Sequence, residues 1–226
     1  MEPVKIISVK DNVLSENDKE AATVRAILKE KNIFFINLMS SPGSGKTTFL
    51  CSLLPLLQEK GYRCLVLEAD IDGDVDAKKI IEKTAARSYQ VHTMGACHLT
   101  AQMTHDSISK IDLDNVDILI LENIGNLVCP AEFDTGSNLN MMLLSVPEGD
   151  DKPLKYPLMF KVSPFVIVTK MDVLPVFNFN FDDFQKRVEA LRPDSMIHTI
   201  SAKNKEGLDD VINDLLPLIE AKIKKA

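Results

Sequence analysis

The sequence predicts a three-layer α/β domain with a mainly parallel central sheet. Short apolar runs, several of them continuous rather than alternating, take turns with amphipathic helical segments, the pattern of parallel strands covered by helices on both faces. One of these runs, "NIFFINLM", passes directly into the glycine-rich turn "SSPGSGKTT" and then into an amphipathic segment. A length of 226 residues suits one hydrophobic core.

Taken in order, "SENDKEAATVRAILKEK" (15–31) starts on a serine cap and carries Ala22, Arg25, Ile27 and Leu28 at helical spacing. It predicts a helical arm over residues 1–31 within a single domain that spans 1–226. "NIFFINLM" is a strand, and "TTFLCSLLPLLQEKGY" is a helix with Gly61 just past its end and Pro55 as a source of bending. "CLVLEAD" reads as a strand, "DAKKIIEKTAA" as a helix, "YQVHTM" as a strand and "LTAQMTHDSISKI" as a helix. "VDILILEN", "NMMLLSV" and "PFVIVTKMD" are strand-like, "FDDFQKRVEAL" is helical, "SMIHTISA" is a strand, and "GLDDVINDLLPLIEAKIKK" is a closing helix.

Composition excludes several classes. The formal charge of −7, from 26 basic and 33 acidic side chains, argues against a nucleic-acid partner held by phosphate electrostatics. No apolar run is long enough to span a bilayer, and the start lacks the apolar core of a signal peptide, so no membrane partner and a cytoplasmic location are expected. Cys51, Cys64, Cys97 and Cys129 include no C-x-x-C pair. A disulfide framework is not expected of them.

The glycine-rich turn holds the second half of the pattern G-x-x-x-x-G-K-[ST], with Ser40 where the first glycine usually stands. Gly43 and Gly45 permit close approach of backbone N–H groups to phosphate, with Ser44 and Thr48 in the same loop. Lys46 supplies charge at the β- and γ-phosphates and Thr47 a hydroxyl for Mg²⁺. A chance strand–turn–helix is the bland alternative; the strand before and helix after are what a P-loop NTPase fold demands.

"VIVTKMD" then ends a late strand as the base-reading element of GTP-binding proteins does. Asp172 can accept from both N1–H and the N2 amino group of guanine, donors that adenine lacks at those positions. Lys170 would lie along the base and brace the phosphate loop, and Thr169 stands where asparagine is commoner. "ISAKNKEG" adds Ser201, Ala202 and Lys203, with the Ala202 N–H aimed at guanine O6. The expected cofactors are therefore GTP/GDP and Mg²⁺.

Glu122 and Gly125, after "VDILILE", occupy the slots of an Asp and a Gly in a D-x-x-G switch: a carboxylate for Mg²⁺ and an N–H for the γ-phosphate. In "EADIDGDVD", Asp70 is placed to face phosphate or Mg²⁺, and Asp76 to move with a switch segment. Asp72 and Asp74 read equally well as a solvated loop. Val75 and Ile81 break any resemblance to a calcium-binding EF-hand loop. Lys46, Thr47, Asp70, Glu122 and Gly125 form the expected catalytic set, with Thr47, Asp70 and Glu122 around Mg²⁺.

"GACHL" sets Cys97 beside His98, and "NLVCP" sets Cys129 seven residues beyond Glu122. Two thiolates and an imidazole suit Ni²⁺ or Zn²⁺ far better than Mg²⁺, and three ligands leave a position open for transfer. Free cysteines packed as small hydrophobes are the competing reading for this pair, and the expected state of Cys51 and Cys64. His92, His105 and His198 read as structural or surface residues.

Together, "NLMSSPGSGKTT", "GACHL", "ENIGNLVCPAEFD", "VIVTKMD" and "ISAKNKEG" resemble the HypB family of nickel-insertion GTPases of [NiFe]-hydrogenase maturation, from about residue 15 to the C-terminus. The resemblance implies Ni²⁺ or Zn²⁺ ligands at Cys97, His98 and Cys129 near the interface of a GTP-dependent homodimer. It further implies partnership with a HypA-type nickel metallochaperone and the hydrogenase large-subunit precursor. The cysteine- or histidine-rich N-terminal nickel motifs of some members are absent from the sequence, and Lys79 stands where the family suggests arginine. A urease-type nickel G protein, a P-loop small-molecule kinase with structural cysteines, and a nucleotide-binding scaffold that never hydrolyses remain as alternatives.

Overall fold

The computed structural model describes residues 9–70 and 75–224, with side chains described for 13–69 and 76–224. Seven strands form one sheet: β1 (Phe34–Ser40), β2 (Cys64–Asp70), β3 (Arg87–His92), β4 (Ile118–Glu122), β5 (Leu139–Ser145), β6 (Phe165–Thr169) and β7 (Met196–Thr199). They lie in the order β3-β2-β4-β1-β5-β6-β7, every pair parallel. Strands β1, β4 and β6 are buried at every position, which is why they read as largely apolar runs rather than alternating ones.

Helices cover both faces. On one, α2 (Lys46–Glu59), α3 (Val75–Lys83) and α9 (Leu208–Glu220) pack Phe49, Leu53, Ile80, Val211 and Leu215 against Phe34, Ile36, Val66 and Ile120. On the other, α1 (Val9–Glu30) and α4 (Ala101–Ser109) cover β1, β2 and β4 through Val24, Leu28 and Ile108. Beside them, α7 (Pro157–Val162) and α8 (Phe181–Leu191) cover β5 and β6 through Met159, Phe160, Phe184 and Val188.

The N-terminal helix is already formed at Val9, the first described residue and six residues before the serine cap, and buries Ala21, Val24 and Leu28 in the core. The helical arm thereby forms a wall of the fold. Pro55 lies inside an uninterrupted α2. Two further short helices, α5 (Cys129–Glu132) and α6 (Lys152–Lys155), and α7 arise in stretches without helical periodicity, each with a proline in its first turn.

Strands β1 and β4 are neighbours, and the connection from β1 to β2 runs one way along the sheet while that from β4 to β5 runs the other. In open α/β sheets, the crevice beyond the carboxyl ends of the strands at such a point receives ligands. The glycine-rich turn, Glu122 and Lys170 all follow strand ends at this edge.

Candidate functional site

The loop between β1 and α2 is held open by two left-handed glycines, Gly43 (φ 73°) and Gly45 (φ 98°), a conformation that strains any L-residue. A Cβ placed on either glycine would meet nothing within 4 Å, so the concave side of the loop is clear for a ligand. The α2 N-terminus opens onto this space and has no acidic residue in its first turn. Free helical N–H groups and an unopposed dipole favour an anion there.

Ser40 is fully buried, and its Oγ accepts a hydrogen bond from Lys46 Nζ at 3.0 Å. The departure from glycine therefore has a consequence: the hydroxyl parks the lysine where phosphate oxygens would otherwise take it. Burial lowers the Lys46 pKa, against the raising pull of Glu122, Asp76, Glu68 and Glu148.

Thr47 Oγ1 donates to Glu122 Oε1 at 2.9 Å. The register of β2 on β4 sets Glu68 opposite Glu122, each only 3% exposed. Carboxylate oxygens of Glu68, Asp76 and Glu122 lie within 4.8 Å of one another. Glu122 Oε2 is buried without a hydrogen-bond partner. Burial pushes the Glu122 pKa up to about 7, with Lys46 and the Thr47 hydroxyl drawing it down. Clustered buried oxygens, one of them unsatisfied, fit a hard divalent cation such as Mg²⁺.

Glu68 is absent from the sequence-derived set, and Asp76 entered it only as a switch residue. The available signal was one acid interrupting the apolar run "CLVLEAD" in the strand that neighbours Glu122. Asp70 ends β2, but its side chain, like all of Asp72 and Asp74, lies outside the described residues. Lys79 faces the same cluster closely enough to lower the Glu122 pKa, so a positive charge is kept at that position. Gly125 sits on the phosphate loop: a Cβ there would come within 2.8 Å of the Pro42 nitrogen.

The base-reading segment is tied to the loop by two consecutive side chains. Thr169 Oγ1 donates to Ser44 O and Lys170 Nζ to Gly43 O, both at 2.7 Å. Threonine in place of asparagine still supplies the brace. Asp172 accepts a hydrogen bond from Ser201 Oγ at 2.8 Å, which orients the carboxylate. Gly207, at φ +77° and pressed against Thr199 O, turns the chain after "SAKNKE" into α9. A cavity of about 140 Å³ is lined by Ser44, Gly45, Thr48, Thr169, Lys170, Asp172, Ala202 and Lys203.

Cys97 and His98 lie between β3 and α4, and Cys129 opens α5. Cys97 Sγ is 3.0 Å from Cys129 Sγ and 3.7 Å from His98 Nδ1, and both cysteines are free. One ligand atom from each of the three residues lies within 4.8 Å of the others. The His98 ring stacks on Phe133 at 4.0 Å, and burial lowers its pKa against the opposing charge of Glu132. Burial thereby favours the neutral imidazole, the form in which histidine ligates a metal. The Cys97 thiol is raised by its hydrogen bond to Cys129, then by burial and by charge on Cys129. A soft cation would relieve that conflict by taking both sulfurs as thiolates.

Cys64 is buried in the core with its pKa pushed up to about 12, and Cys51 packs half-buried beside it. His92 is exposed, His105 pairs with Glu20, and His198 lies 3.3 Å from Asp214. None of these joins the cluster.

One segment connects the two sites. Glu122 touches Thr47, and buried Asn123 donates through Nδ2 to Asn37 Oδ1 at 3.0 Å. Gly125 lies on Pro42, Leu127 is buried, and Cys129 ends the run. A glycine-rich phosphate loop and a Cys/His cluster at the same edge of the sheet define a P-loop nucleotide-binding protein with an adjoining candidate metal site.

Residues 34–199 match the family described as CobW/HypB/UreG, nucleotide-binding domain. The chain is 39% identical over 216 residues to the hydrogenase/urease maturation factor HypB of Helicobacter pylori (strain J99), covering 94% of this chain and 88% of that protein. It is 40% identical over 209 residues to the hydrogenase maturation factor HypB of Escherichia coli K12, covering 92% and 71%. The crystal structure of HypB from H. pylori in complex with nickel matches with a TM-score of 0.86 at 38% identity, covering 93% of this chain and 99% of that one. The chain belongs to the CobW/HypB/UreG family and, within it, to the HypB GTPases.

Proposed function

We propose that this chain hydrolyses GTP to control the loading and release of a nickel ion on Cys97, His98 and Cys129. The observation that carries the reading is the eight-residue run from Glu122, bonded to the phosphate-loop Thr47, to Cys129 beside Cys97. The existence of a similar structure in complex with nickel supports Ni²⁺ as the cargo. Zn²⁺ is accepted by the same donors and competes for them.

In this mechanism Gly43, Ser44 and Gly45 present backbone N–H groups to phosphate. Lys46 leaves Ser40 for the β- and γ-oxygens, and Asp172, Lys170, Ser201, Ala202 and Lys203 hold guanine. Thr47, Glu122, Glu68 and Asp76 would hold Mg²⁺, and the sequence adds Asp70 to the set. The ion, when bound, offsets negative charge on the phosphates. Gly125 directs its N–H to the γ-phosphate, so loss of that group frees the segment leading to Cys129. Among the described residues no glutamine is placed to orient water, and slow turnover is the expected result.

The partners that fit are a second copy in the GTP state, a HypA-type metallochaperone as nickel donor and a [NiFe]-hydrogenase large-subunit precursor as recipient. The H. pylori relative is named for both hydrogenase and urease, so a urease precursor is the second recipient to test. Among the described residues no helix is long and apolar enough to cross a membrane.

Cys129→Ala removes one of three protein ligands. Losing even an outlying partner of a metal site costs roughly 10–100-fold in affinity. Nickel titration should therefore show a loss of at least about 100-fold, with GTP binding retained. Undiminished nickel affinity in this variant would refute the site. Turnover of ATP as fast as GTP would return the chain to the kinase reading.

A further inference from the structure

The presumed ligands come from two separate chain segments, and one buried amide is bonded to both. Asn17, in α1 and 8% exposed, accepts at Oδ1 from Ala101 N at 2.9 Å and donates from Nδ2 to Asp134 O at 2.8 Å. Ala101 opens α4 three residues after His98, and Asp134 lies five residues after Cys129. The Ala101 N–H is one of the helix-start donors that find no partner within the helix, and the Thr100 cap serves Met103 N instead. Neither partner of the amide is satisfied by regular structure.

The surroundings reinforce this bridge on each side. Arg25 pairs with the Asp134 carboxylate, which also accepts from Gly136 N at 2.9 Å. Gly136, at φ +85°, brings its backbone so close to Val24 that a Cβ there would lie 2.7 Å from it. Glu20 pairs with His105 on α4. The N-terminal helix thus grips both ligand-bearing segments, and among the described residues Asn17 alone bonds to the two at once.

We propose that Asn17 is a positioning residue of the metal centre: through α1 it sets the separation of Cys97 and His98 from Cys129. The inference rests on the reading of those three residues as the nickel site. The two sulfurs share a hydrogen bond until an ion takes both as thiolates, so a scaffold that already holds them close reduces the rearrangement needed on binding. Asn17 lies outside residues 34–199, so the family's nucleotide-binding domain does not include it.

Nickel is titrated into the GDP-bound full chain, following affinity and the thiolate-to-nickel charge-transfer absorption, in wild type, Asn17→Ala, Asn17→Asp, Leu28→Ala and Cys129→Ala. Asn17→Ala is expected to weaken nickel about tenfold and to shift or weaken the absorption, while GDP affinity and nickel-free GTP turnover stay within about twofold. Asn17→Asp keeps the acceptor for Ala101 N but loses the donor to Asp134 O, and should fall between the two; it carries the test should the alanine variant not fold. Leu28→Ala cuts the core packing of α1 and should lower the melting temperature with the absorption unchanged. Wild-type nickel affinity and spectrum in the Asn17 variants, or an equal loss in Leu28→Ala, would overturn the proposal. Unaltered binding in Cys129→Ala would instead overturn the reading beneath it.

Discussion

Lys46→Ala is expected to lower GTP turnover by about 10³-fold, the scale seen when a single donor to developing negative charge is deleted. Lys46 is the cation that must leave Ser40 for the phosphates, and it stands among Glu122, Asp76, Glu68 and Glu148. Its loss also exposes the conflict among those carboxylates. The Glu122 pKa, already up to about 7 through burial, rises further without the ammonium. A carboxyl with a raised folded-state pKa binds more protons folded than unfolded, so stability falls as pH rises from the ordinary carboxylate range through that folded value. The variant should therefore melt progressively below wild type as pH increases from 6 to 8 in the absence of nucleotide. Single-turnover hydrolysis and melting curves across that range check both parts; a melting deficit largest at pH 6 would contradict the electrostatic part.

Asp172→Asn should exchange the nucleotide preference from GTP to XTP. The carboxylate accepts two hydrogen bonds from guanine; an amide offers a donor where guanine also donates, but matches the C2 carbonyl of xanthine. A polar site left mismatched in this way discriminates by roughly 10⁴-fold or more, and a loss of GTP affinity of at least about 10³-fold is expected. The clamp itself should survive, since Ser201 Oγ bonds one Asp172 oxygen, which the amide retains as its carbonyl. Competition of GTP and XTP for the variant reads this directly. Weakened binding of both nucleotides alike would mean that Asp172 holds the loop rather than the base.

The parts of this molecule readable from sequence are those whose chemistry is local. Gly43, Gly45 and Lys46 must lie within a few residues of one another to make a phosphate cradle. Asp172 follows directly from the end of a strand, and strands covered on both faces betray themselves by largely apolar runs. Glu68 was hidden because its meaning comes from the β2–β4 register, which sets it opposite Glu122. Asn17 was hidden more deeply, since its partners lie 84 and 117 residues away. Ser40 looked like the loss of a glycine until its hydroxyl was found on Lys46. The thiol–imidazole cluster stood between: "CHL" and "NLVCP" suggested it, but spacing could not bring Cys97 to 3.0 Å from Cys129.

The central claim is that nucleotide and metal report on each other through residues 122–129. Linkage requires the coupling to be reciprocal, and couplings of this kind are typically about 5–150-fold. The decisive measurement is nickel affinity with GDP and with a non-hydrolysable GTP analogue, in wild type and in Cys129→Ala. Wild type should differ by at least about fivefold between the two nucleotides, nickel should change the ratio of nucleotide affinities by the same factor, and the variant should show neither effect. Equal nickel affinity in all four states would contradict it.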